Sequence, residues 1–322
     1  MTPTDMESSQ PSPASQGETA SSRIKTVRRF YQQYKSLSFS ELMRKADDEY
    51  LAYVAEMDDK GQLVRESKFD ADGELEERND YRYSDGGKLI EHVLLYAVDD
   101  VTERRVLRRD ERELLLEEMK MYGDDTGERS TYSYDAAGNV TEIVHYDEEG
   151  LLAHREEVSY GADGGVSMRK RLDAQGQTLE QTVFQKTEDG MTIEQHEFSP
   201  EGKLQTLSVT KVDPAGNEIS TQQSTPDGKL VAAVYSTYDE RGNVVERVYK
   251  DFYSKTVRSV YDEADRLLSQ ELFDGSGLLL RKNVYEYDEK GQVVAEQVFE
   301  MDASGGGRDK HYGTRYEYEH YQ

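Results

Sequence analysis

Tyr134-Asp135-Ala136-Ala137-Gly138-Asn139-Val140 is followed five residues later by Tyr146-Asp147-Glu148-Glu149-Gly150-Leu151-Leu152. The shared frame is aromatic, Asp, two variable residues, Gly, one variable residue, aliphatic. It returns as Tyr238-Asp239 to Val244 and as Tyr287-Asp288 to Val293. Looser copies start at Phe69-Asp70, Phe198-Ser199, Val212-Asp213 and Phe273-Asp274. Gly138, Gly150, Gly164, Gly176, Gly190, Gly202, Gly216, Gly228 and Gly242 stand alternately 12 and 14 residues apart, so the repeating unit is 26 residues with two turns. A fixed period of that length signals a repeat architecture.

Asp first and Gly fourth is the preference of a type I β-turn, the Gly taking the positive φ that a following bulge needs. Position two of such a turn favours proline, and Pro200, Pro214 and Pro226 stand there, half of the six prolines in the chain. Between turns lie stretches of 8 to 10 residues, long enough for strands of roughly 26–33 Å. Further turn slots fall near 61, 73, 87, 100, 112 and 127, and again near 254, 265, 277, 291 and 305, where Asp265 replaces the glycine. Within 97–120, Glu111 to Lys120 reads as strand, with a short helix as the alternative.

The strand faces are mixed. After Gly202 one face reads Leu204, Thr206, Ser208, Thr210 and the other Lys203, Gln205, Leu207, Val209. Apolar residues gather beside the turns instead, so the aromatic before Asp and the aliphatic two after Gly are expected to meet across each hairpin. The expected fold is mainly β: a long antiparallel meander of about 20 strands, single-layer and twisted or superhelical, because open sheets of that size coil. Closure into a barrel is the alternative.

Composition agrees with a thin fold. Leu, Ile, Val and Phe supply about one residue in five of the 322, and the net charge is −26, values at the border where chains fail to bury enough apolar surface. There is no cysteine, which excludes disulfides and thiolate metal sites. No apolar run reaches the length of a membrane-spanning helix, and residues 1–22 lack the pattern of a secretory signal. The acidic balance argues against nucleic acid. The expected location is the cytoplasm, with export by a signal-peptide-independent route as the alternative.

Tyr-Asp-x-x-Gly-x-Val/Leu in series resembles the YD repeat of bacterial RHS proteins and of teneurins. The resemblance spans most of residues 57–305, with its best copies in 132–152 and 238–294. It implies a coiled β-sheet, which in long members wraps into a shell around a C-terminal toxin, and it implies a capacity for carbohydrate. This chain departs from the long members in its length, in lacking an Asp-Pro-rich self-cleaving segment, and in leaving only residues 305–322 after the repeats. The expectation is a short member without shell closure or toxin domain.

Residues 1–22 read as a disordered tail, residues 23–48 as a helical segment, and residues 49–322 as the repeat domain. Ile24, Val27, Phe30, Tyr31 and Tyr34 share a face at helical spacing, and Ser38 to Glu41 form a capping box before Leu42 and Met43. The helix would cap the sheet, its basic face on the acidic strands; a partner-binding or, less expected, membrane-binding amphipathic helix is the alternative.

Catalytic, cofactor and metal sites are not expected. The six histidines are scattered, and His145 and His154 stand at different distances from the turn between them. Asp70-Ala71-Asp72-Gly73 opens like a calcium loop, but its frame puts Lys68 and Asn79 at ligand positions. Arg104-Arg105, Arg108-Arg109 and Arg169-Lys170-Arg171 read as cross-strand partners for glutamates. The expected function is a non-enzymatic binding or scaffold protein, its acidic tyrosine-rich sheet engaging a protein partner, a basic one among the candidates; a carbohydrate-binding protein, or an effector exported without a cleaved signal peptide, is the alternative. Phe30, Tyr31, Tyr34, Tyr235 and Tyr249 are the candidate contact residues. Oligomeric state is left open.

Overall fold

A computed structural model describes residues 23–34, 46–123, 126–301 and 309–322. They form 22 strands in one antiparallel sheet and no helix, from β1 (Ile24–Gln33) and β2 (Asp48–Met57) through β3 (Leu63–Phe69) to β21 (Val293–Glu300) and β22 (Lys310–His320). The motif does what its chemistry requires. In the turn at 135–138, Gly138 N–H donates to the Asp135 carbonyl at 3.1 Å, and Asp135 Oδ1 accepts from Asn139 N–H at 2.9 Å. Gly138 sits at φ 91°. The slots without glycine keep the positive φ at Asp100, Glu113, Ser254 and Asp265, and Glu113 and Asp265 also keep the turn hydrogen bond, to Asp110 O and Asp262 O. The slot expected near 127 lies instead at Gly123, and Gly127 is inside a strand. Residues 115–122 are strand, not helix.

Most hairpins then slip by one residue, a β-bulge that sets the aromatic opposite the aliphatic. Phe69 faces Leu75, Tyr83 faces Leu89, Tyr134 faces Val140, Phe198 faces Leu204, and Tyr287 faces Val293. Strand centres are held by polar bonds across the ladder. Glu66 accepts from the hydroxyls of both Tyr53 and Tyr81, and burial with that carboxylate raises both phenols well above their ordinary pKa.

Two expectations are corrected at the N-terminus. Residues 24–33 are a strand, and that strand closes the sheet. β1 pairs with β2 from Thr26↔Glu56 to Gln33↔Asp48, and with β22 from Ile24↔His320 to Gln33↔Tyr312. Because every other strand pairs with its sequence neighbours, the ring is complete. The wall is one sheet thick but has no open edge. At about 4.8 Å per strand, 22 strands give a perimeter of about 105 Å. The physical reason is the pair of edges: a capping helix would leave the N–H and C=O groups of β2 and β22 unpaired, whereas one strand satisfies both rows. Basic residues of β1 meet acids as expected, but along strands: Lys25 lies 2.8 Å and Arg28 3.5 Å from Glu319. The tail 1–22 and the capping box at Ser38 to Glu41 lie outside the described residues.

The core is correspondingly thin. Among the described residues the buried apolar side chains are Ala55, Leu107, Leu172, Ala233, Val257, Val298 and Phe299. Both faces carry ion pairs at mid-strand. Arg65–Asp80 at 2.6 Å and Arg104–Glu91 at 2.5 Å lie on one, and Lys68–Glu77 at 3.0 Å on the other. A lipid-facing barrel wall would show an apolar band on one face. Arg105 pairs with Glu118, and Arg108 lies 3.5 Å from Glu117, so these basic residues do face glutamates.

The turn aspartates make the fold acid-sensitive. Asp135 and Asp213 are held below the usual carboxylate range, first by the side-chain amides of Asn139 and Asn217 and then by backbone N–H groups. Asp239 and Asp262 are lowered chiefly by backbone N–H donors. A pKa depressed in the folded state means that the stabilisation is complete above the unfolded value, about 4, and drains away as pH falls through the lower folded values. Circular dichroism should therefore show unfolding setting in below about pH 4. Converting those four aspartates together to asparagine should flatten the acid limb; an unchanged limb would remove the turns as its cause.

Candidate functional site

The 26-residue unit sends successive turns to opposite ends of the barrel. The first rim holds the turns ending at 61, 87, 113, 138, 164, 190, 216, 242, 265 and 291, and the second those at 73, 100, 123, 150, 176, 202, 228, 254 and 277. The two rims differ in kind. On the first rim, the tyrosines that directly precede a turn reach back to the preceding unit of that rim. Tyr83 donates to Leu63 O at 2.7 Å, Tyr134 to Leu115 O at 2.7 Å, Tyr160 to Val140 O at 2.8 Å and Tyr287 to Leu267 O at 2.8 Å. Tyr238, Tyr261 and Tyr318 repeat the bond to Glu218, Val244 and Val293, and Arg109 replaces the phenol at Leu89 O. Each acceptor is the first residue of its bulged strand, where the ladder is disrupted and a backbone group needs another partner. Tyr287→Phe should cost about 1 kcal/mol in urea unfolding; no loss would make the hydroxyl idle.

The aromatics of the second rim point the other way. Tyr146 and Val144 share a face with their partners Arg129 and Thr131, whereas Tyr134 alternates with those residues and lies on the opposite face. Apolar side chains are exposed on this rim: Val98 82 %, Leu151 65 %, Leu230 49 %, Val231 52 %, Phe252 91 %, Tyr253 72 % and Leu278 49 %. Phe252 and Tyr253 fill the central positions of the turn between β17 (Val244–Lys250) and β18 (Lys255–Tyr261). Other turns hold Ala-Ala, Glu-Glu or Pro-Glu there. The rings meet edge to face with centroids 5.0 Å apart. Leu230 and Val231 begin β16 (Leu230–Tyr238), and Leu278 directly precedes β20 (Leu279–Tyr287). Rim turns two strands apart are separated by about 10 Å, so Leu230, Val231 and Leu278 stand on the turns that neighbour Phe252 and Tyr253.

At the seam a recess of about 530 Å³ is lined by Gln32, Tyr34, Asp48, Glu49, Glu286, Gln297 and Arg315, among others. Arg315 grips Glu49 with Nη2 at 2.6 Å and Nε at 3.0 Å, while its guanidinium carbon lies 4.1 Å from the Phe30 ring centre. Burial raises the Glu286 carboxyl above its usual range. His311 is sandwiched, 4.0 Å from the Tyr34 ring and 4.1 Å from Phe299.

The five candidate contact residues do not form one site. Phe30, Tyr31 and Tyr34 are gathered at the seam, where Tyr31 packs on Tyr50 at 5.4 Å and on Tyr312 at 5.9 Å. Tyr235 is 38 % exposed, but it pairs with Val248, which places the next residue, Tyr249, on the opposite face. The residues that sequence reasoning missed are Phe252 and Tyr253. Their signal was available: two aromatics occupy a turn slot that lacks glycine.

One side-chain group among the described residues has the make-up to hold a metal: His145, His154 and Glu156, whose ligand atoms all lie within 4.8 Å of one another. Of the other histidines, His92 bonds Asn79 at 2.7 Å, His196 Glu194 at 3.0 Å, His311 Gln297 at 3.2 Å and His320 Gln292 at 3.3 Å.

No protein-family model matches the chain, and no curated protein does. Solved structures show distant likeness. The TcdB2-TccC3 toxin complex with Cdc42 aligns at 15 % identity and a TM-score of 0.31, over 80 % of this chain and 16 % of that one. A porin-like protein from Bacteroides uniformis aligns at 11 % identity and a TM-score of 0.31, over 93 % and 98 %. The Photorhabdus luminescens Tc holotoxin pore gives 11 % identity and a TM-score of 0.25, over 81 % and 19 %. The chain spans about a sixth of the first toxin chain's length, and at these scores the likeness carries no argument. The ladder itself establishes an all-antiparallel β-repeat protein closed into a barrel.

Proposed function

We propose that the chain is a non-enzymatic binding protein that takes hold of a protein partner through its second rim, with Phe252 and Tyr253 as anchors. The observation that supports this is the exposure of two adjacent aromatics at a turn tip, 91 % and 72 %, with exposed apolar residues on the neighbouring turns, on a chain of net charge −26. Aromatic residues that bury on association supply a large share of interface energy, and contiguous exposed apolar patches mark interaction sites. The bonds that hold the turn use neither ring: Asp251 Oδ1 accepts from Tyr253 N–H at 2.9 Å, and Ser254 Oγ donates to Asp251 O at 3.5 Å.

Lys250 and Lys255 flank the turn, so this part of the rim is locally less acidic than the rest of the protein. The rim reading differs from engagement through the acidic faces in its salt dependence. Apolar contacts persist at high ionic strength, whereas an acidic face holding a basic partner loses affinity as salt screens it. In-cell crosslinking with mass spectrometry should recover a partner whose yield drops at least tenfold in Phe252→Ala/Tyr253→Ala and survives washing in high salt. A partner retained by that variant, or released by salt, would move the interface elsewhere.

A further inference from the structure

We propose that His145, His154 and Glu156 form a binding site for one divalent transition-metal ion of the zinc type, on the wall of the barrel between β9 (Val140–Tyr146) and β10 (Leu152–Tyr160). The bulge after Gly150 creates the site. Leu152 pairs with Tyr146, the register then slips by one, and His154 falls directly opposite His145. Without the slip, His145 would oppose Ala153. Glu156 is two residues beyond His154 and so projects from the same face.

A second observation points to a ligand. His145 Nε2 is buried and has no hydrogen-bond partner. Glu156 Oε1 stands 3.9 Å away, too far for a hydrogen bond. Leaving a polar atom buried without a partner is costly, and a bound ion relieves it. The other ring nitrogen is already used: Nδ1 lies 2.9 Å from Ser130 Oγ on β8 (Thr126–Tyr134). Bonds of that kind orient metal-ligating histidines and aim the free nitrogen. When Nδ1 carries the proton and donates to Ser130, the Nε2 lone pair faces the cluster.

Two nitrogens and a carboxylate with no thiolate form the donor set of open-sided zinc sites. Asp173 lies opposite His154, but its Oδ1 already accepts from Gln175 and Gln177 N–H at 2.9 and 2.7 Å. The remaining positions therefore fall to water. The imidazoles are stacked, 4.2 Å apart and 20° from parallel, and an ion must lie near the plane of each ring it binds. Binding thus turns His154 out of the stack, since Ser130 holds His145. Arg171, paired across the ladder with Glu156, opposes the added charge and weakens binding.

The test uses the full chain, free of any affinity tag and stripped of metal, in millimolar Mg²⁺ so that the many surface carboxylates are occupied. Titration calorimetry with Zn²⁺ should show one equivalent bound, and Co²⁺ should develop the intense visible absorption of a four-coordinate nitrogen–oxygen site. His154→Gln and Glu156→Gln should each weaken Zn²⁺ by at least about tenfold, the scale seen when a metal site loses even a supporting group. His196→Gln should leave it unchanged. On the unaltered protein, Zn²⁺ should shift the imidazole NMR signals of His145 and His154 but not that of His92. No one-equivalent binding, unshifted His145 and His154 signals, or full binding by His145→Gln/His154→Gln overturns the proposal.

Discussion

Replacing Val27 with proline is expected to unzip the seam and turn the closed barrel into an open ribbon. Val27 lies within β1, opposite Ala55 on β2 and Tyr318 on β22. Proline removes its N–H and fixes φ near −65°, so a ladder flanked on both sides loses a bond and the extended backbone around it. In a helix interior the same change costs about 3 kcal/mol or more, and a similar loss is expected here. Because β1 serves both neighbours, its release bares edges of 10 and 11 residues at once, and long bare edges associate. Amides of Asp48–Met57 and Lys310–His320 should exchange about a hundredfold faster, the factor that about 3 kcal/mol corresponds to. The variant should also elute at larger size. Ala136→Pro is the control, placing proline where Pro200 and Pro214 already stand in equivalent turns; it should be neutral or stabilise by about 0.4–1 kcal/mol. Unchanged exchange in the Val27 variant would mean that β1 does not hold the seam.

Phe299→Ala should be the most costly truncation of a side chain, about 3–5 kcal/mol. At 1 % exposure, Phe299 is the most deeply buried large side chain among the described residues, and it anchors the stack through His311 to Tyr34 that joins β21 to the seam. In an array whose strands contact mainly their neighbours, damage stays local before it spreads. Protection should fall first in β20 to β22 and in β1. Urea unfolding followed by tyrosine fluorescence gives the magnitude, the chain having no tryptophan. Phe252→Ala, at a side chain 91 % exposed, should stay within about 0.5 kcal/mol, which keeps the rim variants usable in binding tests. A loss below about 1 kcal/mol for Phe299→Ala would show that the stack is not what locks the seam.

The turns were legible because their information is local. Asp135 and Gly138 make their bonds within four residues, and no distant residue can change what that backbone needs. The hairpin pairs Tyr134↔Val140 and Tyr287↔Val293 followed from the same frame. β1 was not legible, because Ile24, Val27, Phe30, Tyr31 and Tyr34 satisfy a helical period, while their aromatic and β-branched character also suits a strand. The choice rests on two edges more than 250 residues apart in sequence meeting in space. The His145–His154 pairing was hidden for a smaller reason, since a one-residue bulge is invisible when distances are counted from a turn. The tyrosine hydroxyl bonds were hidden too: an aromatic before Asp reads as apolar, and its acceptor lies 17 to 25 residues away.

The amino-acid sequence by itself determined a 26-residue unit, the position of nearly every turn, the antiparallel order and the scarcity of core. These are consequences of φ preferences, side-chain alternation and composition, all of which act over a few residues. The tertiary structure decided closure, the sorting of tyrosine hydroxyls to one rim and exposed aromatics to the other, and the meeting of two histidines with a glutamate. Those depend on register and on which edges find each other, and ladder bonds form with whatever backbone is brought alongside. Local chemistry can write the strands, but only the assembled ring settles what each face and rim presents.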